Sequence, residues 1–170
     1  MNISTSSQSL FDDGRFELIN GNYEKSIEFL NEVLKLEPSH KLALISRGSA
    51  FLKQNKIDEA VDDFNRVIDI DPNYARAYHL RGVARETSED FENALADFSK
   101  AIDLNPDYGA AFYSRATLLT KLKREDEAVD DIQMVQFLTN RNIEIFANEN
   151  NVWRSQQMKL ESTLETELER

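Results

Sequence analysis

Apolar and small residues recur along this chain at spacings of three and four, and the runs come in pairs separated by short polar breaks. Leu10, Gly14, Leu18 and Ile19 form one run, which Gly21-Asn22 interrupts; Ile27, Leu30, Val33 and Leu34 form the next, which Glu37-Pro38 closes. Such spacing places each run on one face of an α-helix. Proline ends the second helix because it disfavours helical backbone at the residue before it. A second pair follows, with Leu44, Gly48 and Phe51, then Ile57, Ala60, Phe64, Val67 and Ile68, closed by Asp71-Pro72. Asn55, between its two runs, suits the left-handed position that ends a helix. The third pair carries Tyr78 and Gly82, then Phe91, Ala94, Phe98, Ala101 and Ile102, and closes at Asn105-Pro106.

The pairs are copies of one unit. Pro38, Pro72 and Pro106 lie 34 residues apart, as do Gly14, Gly48 and Gly82, with Ala116 as a fourth member. Ser26 begins a row that continues as Ala60, Ala94 and Ala128. A fixed period in this range means stacked supersecondary units. The spacing predicts four units over 7–40, 41–74, 75–108 and 109–142, after a short flexible start at 1–6. The fourth departs from the pattern: Glu125 stands where Tyr23, Ile57 and Phe91 stood, and Asn140 where proline stood. Terminal units commonly lose repeat features. Over 143–170, Ile143, Ile145, Phe146, Val152 and Trp153 are apolar enough to cover the end of a stack, while Asn150 occupies the glycine row. This predicts a C-terminal capping helix with a frayed polar end. Trp153, Leu160 and Leu164 also follow a faint heptad spacing.

Small residues at Gly48, Ala60, Gly82, Ala94, Ala116 and Ala128 with aromatic residues at Phe64, Tyr78, Phe91, Phe98 and Phe112, the 34-residue period and the closing prolines resemble the tetratricopeptide repeat family over 7–142. The resemblance implies an all-α fold: a right-handed superhelical solenoid of four antiparallel helix pairs, whose first helices line a concave face that binds peptides or other proteins. Carried over residue by residue, it places Phe11, Arg15, Ile45, Ser49, Lys53, Arg76, His79, Val83, Tyr113, Thr117 and Lys121 in that groove. Phe11, Ile45, His79 and Tyr113 would form an apolar line. Among the groove rows Arg15, Lys53, Arg76 and Lys121 outnumber Asp12 and Glu86. The family members that grip acidic chaperone tails need Lys and Asn, then Asn, then Lys and Arg. Here those places read Phe11, Arg15, Ser46, Arg76 and Leu80 or, one repeat on, Ile45, Ser49, Leu80, Ala110 and Ser114. Neither set clamps a carboxylate pair, so no chaperone-tail binding is expected.

Charge and candidate chemistry sharpen this picture by exclusion. The formal net charge of -11 argues against a nucleic-acid backbone as partner, and the absence of cysteine removes disulfides, thiol catalysis and thiolate zinc sites. No signal peptide and no membrane span are expected, and the chain reads as cytoplasmic. His40 falls in a repeat junction and reads as a solvated loop residue; His79 reads as groove lining. Asp12-Asp13, Asp62-Asp63 and Asp130-Asp131 are adjacent on helices and diverge, so they do not share a metal ion. No phosphate loop, nucleophile elbow or zinc spacing occurs. The chain is therefore expected to be non-catalytic, without cofactor or metal.

One charged pattern does recur. Arg47, Arg81 and Arg115 occupy one row of the first helices, and Asp63, Asp97 and Asp131 one row of the second, always 16 residues later. In the first unit both are replaced together, by Asp13 and Phe29. Joint loss predicts structural ion pairs between the helices of a unit. The function expected is a protein- or peptide-binding adaptor, with a monomer as the expected state. The alternative is a homotypic assembly module that associates through the stack end or the C-terminal helix.

Overall fold

The computed structural model describes residues 6–143. Seven helices are complete within it: α1 (Ser7–Ile19), α2 (Tyr23–Leu36), α3 (Lys41–Lys53), α4 (Ile57–Ile70), α5 (Ala75–Thr87), α6 (Phe91–Leu104) and α7 (Gly109–Lys121). An eighth, α8, starts at 125 and is helical through 143. From α1 to α7 each helix packs on the next, and consecutive first helices also touch, α1 on α3, α3 on α5 and α5 on α7. The result is an all-α solenoid.

Every turn inside a pair has the same construction. Gly21, Asn55, Glu89 and Lys123 hold φ of 79°, 59°, 65° and 61°. The amides that follow, Asn22, Lys56, Asp90 and Arg124, donate to Glu17, Phe51, Arg85 and Leu119 carbonyls, all at 2.9 Å. This is the Schellman closure, which satisfies helix-end carbonyls and requires one left-handed residue. Glycine and asparagine announce that position; glutamate and lysine do not, and hold it because the geometry around them is fixed.

Small residues on the first helices let the second helices lie close. A Cβ added to Gly48 would stand 2.6 Å from Phe64 Cε1, one on Gly82 2.6 Å from Phe98 Cε1, and one on Gly14 2.9 Å from Leu30 Cγ. Leu30, Phe64 and Phe98 are fully buried, each worth about 1.5–3 kcal/mol of transfer free energy. Ser26, which replaces alanine in its row, is buried too and donates its hydroxyl to Gly14 O at 2.8 Å.

Two local expectations change. His40 is not a solvated loop residue: it is the half-buried N-cap of α3, its Nδ1 accepting from the Ala43 amide at 3.1 Å and its ring 4.7 Å from that of Phe11. Second, α8 continues past 138, the position equivalent to Ile70 and Leu104 where α4 and α6 end. Asn140 in place of proline leaves nothing there to stop it. The expected boundary between 142 and 143 therefore falls inside a helix. The capping residues expected from 144 onward, Trp153 among them, lie outside the described residues.

Candidate interaction groove

The first helices present one recurring face, and its rows do not behave alike. Arg15, Ser49, Val83 and Thr117 share a row; Arg15 and Thr117 are exposed, Ser49 and Val83 half-buried. The Ser49 hydroxyl donates to Ile45 O at 2.7 Å and that of Thr117 to Tyr113 O at 2.8 Å, so both are already engaged with their own helices. Lys53 and Arg76 are exposed. Lys121 is exposed as well, with its ammonium 4.6 Å from the centroid of the Phe91 ring.

The apolar line expected across the groove is not there. Phe11 and Ile45 are 4% and 3% exposed. Both belong to the core cluster that contains Leu30, Leu44 and Phe64, because the neighbouring repeat covers them. His79, next in that row, is half-buried: its Nε2 lies 3.0 Å from Ser114 Oγ and its Nδ1 3.1 Å from Tyr108 Oη. Burial first, then the Arg76 charge, hold the His79 pKa below its ordinary 6.5. Only Tyr113, the last member, is open, at 64%. It borders an apolar pocket of about 400 Å³ together with Ala116, Thr117, Thr120, Ile132 and Val135.

The arginine row is bound more widely than the sequence suggested. Arg47 Nε and Nη2 donate to Asp63 at 2.8 and 2.6 Å, Arg81 to Asp97 at 3.0 and 2.7 Å, and Arg115 to Asp131 at 2.8 and 2.7 Å. The carboxylates are 2–3% exposed. Each arginine also reaches back to the preceding repeat: Nη1 donates to Asn31 Oδ1 from Arg47, to Asn65 Oδ1 from Arg81 and to Ser99 Oγ from Arg115. One guanidinium thus ties three helices. The residues at 31, 65 and 99 also keep the 34-residue period, a signal present in the sequence that pairing by charge alone overlooks. Arg85 adds a second cation to Asp97, at 2.7 Å.

Among the described residues no group of three or more His, Asp or Glu side chains is placed to hold a metal ion. Among the same residues no helix is long and apolar enough to cross a membrane. Family models bear directly on the repeats. One described as TPR repeat matches 48–88, and two described as Tetratricopeptide repeat match 14–40 and 75–108. The chain belongs to the tetratricopeptide repeat family. As such it is a helical protein-interaction module.

No curated protein matches this tetratricopeptide repeat chain as a relative. Solved structures do resemble it. MamA 41-end from Desulfovibrio magneticus RS-1 is 25% identical with a TM-score of 0.73, covering 81% of this chain and 78% of its own. The Arabidopsis OM64 TPR domain is 27% identical with a TM-score of 0.65, over 68% of this chain and 95% of its own. The first TPR of Spaghetti (RPAP3), bound to the HSP90 peptide SRMEEVD, is 23% identical with a TM-score of 0.66, over 71% and 95%, and at that identity shows the fold alone.

Proposed function

We propose that the chain is an adaptor that captures a protein segment of acidic and apolar character along the face of its first helices. The observation that carries this is the state of the cations there. Arg15, Lys53 and Arg76 are exposed and enter no ion pair among the described residues, whereas Arg47, Arg81, Arg85 and Arg115 are all paired within the fold. Unpaired cations gathered on one face of a chain of net charge -11 favour an acidic partner on that face. Val83 and Tyr113 supply its apolar contacts, in place of the buried Phe11 and Ile45. Anchors of this kind carry most of the binding energy, and the charges set association rate and salt dependence.

The partner is not held by a carboxylate clamp of the kind that grips chaperone tails. The positions where chaperone-tail binders carry their carboxylate clamp hold Phe11, Arg15, Ser46, Arg76 and Leu80 here, and Phe11 is buried. Capture from lysate, with Lys53→Glu and Arg76→Glu combined as the control, tests the reading. Partners lost from the control and weakened by salt support it. Partners retained by the control place the interaction elsewhere. Ile45→Asp is not a usable control, since it puts a charge in the core.

A further inference from the structure

α1 and α8 each expose an apolar residue whose row-mates inside the stack are fully buried. Inside the stack each first helix packs against the repeat before it. Ala77 and Ala84 of α5 lie in the cluster with Phe64 and Val67 of α4, and Leu118 of α7 lies with Leu95 and Phe98 of α6. The row of Ala50, Ala84 and Leu118 is fully buried for this reason. Its first member is Phe16, 64% exposed.

On α8, residues of the equivalent receiving surface are exposed. Leu30, Phe64 and Phe98 are fully buried, but their row-mate Ile132 is 54% exposed. Val33, Val67 and Ala101 are likewise buried, and Val135 only partly. Ile132 and Val135 line the 400 Å³ apolar pocket with Ala116 and Thr120. In the register used three times before, a first helix on this seat would start at 143, and 143 still belongs to α8.

We propose that α1 of a second copy occupies this seat, so that copies stack head to tail and continue the solenoid. Polar neighbours agree with the apolar ones. Inside the stack His79 meets Ser114; the same rows would bring Tyr113 to Asp12 of the incoming copy, a hydroxyl donor to a carboxylate. Arg47 meets Asn31 and Arg81 meets Asn65; the same rows would bring Asp13 of the incoming copy to Gln133, with donor and acceptor exchanged. The contact is heterologous, so it does not close at two copies. It replaces the monomer expected from sequence and is separate from groove binding, though Tyr113 borders both surfaces.

The test uses the full chain. Phe16→Asp and Ile132→Asp alter exposed residues, and matching circular dichroism and urea midpoints check that both fold. Sedimentation of the wild type should show a mass that rises continuously with concentration. Each variant alone should be monomeric, having one blocked end. Their equimolar mixture should form a one-to-one pair and nothing larger, since only one junction remains. Wild type that stays monomeric at every concentration overturns the proposal. So does either variant that self-associates alone, which would mean a two-fold contact. Association that appears only when 144–170 is deleted also overturns it, by showing that this segment covers the seat. Lys53→Glu with Arg76→Glu should leave the wild-type mass profile unchanged, which separates a failed groove from a failed junction.

Discussion

Removing Asp97 should cost more than removing Arg81, although each deletes half of the same pair. Asp97 is 3% exposed and receives Arg81 at two oxygens and Arg85 at one. Arg81→Ala leaves the carboxylate one guanidinium, that of Arg85. Asp97→Ala leaves two arginines facing each other, with Asn65 Oδ1 as the acceptor still held by Arg81. Breaking a buried pair costs roughly 3–5 kcal/mol when the survivor is stranded. Asp97→Ala should fall in that range and Arg81→Ala below it, at about 1–3 kcal/mol, the cost of an imperfectly compensated buried polar group. The double variant should lose less than the sum, because the second change removes the stranded partner of the first. Urea unfolding of the four proteins, with slopes compared for shared two-state behaviour, measures the cycle. A second cycle on Asn65→Ala and Arg81→Ala isolates the arm that joins repeats. Additive losses in the first cycle, or Arg81→Ala costing as much as Asp97→Ala, would refute the reasoning.

Three further outcomes follow from the same geometry. Gly82→Ala should destabilise by roughly 1–3 kcal/mol through overpacking, since the new Cβ meets Phe98 Cε1 at 2.6 Å; the added Phe98→Ile should recover part of the loss in urea midpoint, as the Ala116–Ile132 row-mates imply. His79, held below its ordinary 6.5, favours its neutral form in the fold; the unfolded chain binds more protons below that value, so stability should fall as pH drops below 6.5, and His79→Gln should flatten that part of the stability–pH curve. Both amide atoms of the Gln54 side chain are buried without a hydrogen-bond partner among the described residues, whereas Leu122 in the same row packs into the α6–α7 cluster; Gln54→Leu should raise stability by roughly 1–2 kcal/mol, read from thermal or urea unfolding.

The helices were legible because repetition supplied internal controls. A glycine or proline that recurs at one interval names a turn or a close approach without any alignment, and the helix starts at Ser7, Lys41, Ala75 and Gly109 keep that interval. Turn chemistry was legible only in part. Gly21 and Asn55 are residues that tolerate left-handed backbone, but Glu89 and Lys123 take the same φ with no marker of their own. Their conformation comes from the Schellman closure and not from residue type. The continuation of α8 past 138 is less legible, because Asn140 in place of proline marks a terminal unit and also removes the stop signal.

The site was harder to read, for a reason specific to solenoids. A row on a first helix does not have one environment. Phe11 and Ile45 are buried, His79 half-buried and Tyr113 open. Periodicity in sequence therefore establishes equivalence of position, while exposure depends on what packs against each copy. An apolar row that looks like a continuous binding stripe is in fact core along most of its length and surface at its terminus. The cations behave in the opposite way. Arg15, Lys53 and Arg76 do not form one periodic row, so no repeat pattern singles them out, yet all three are exposed and free of ion pairs among the described residues. In this chain, then, the buried periodic positions hold the stack together, while the exposed cations of the proposed groove follow no single period.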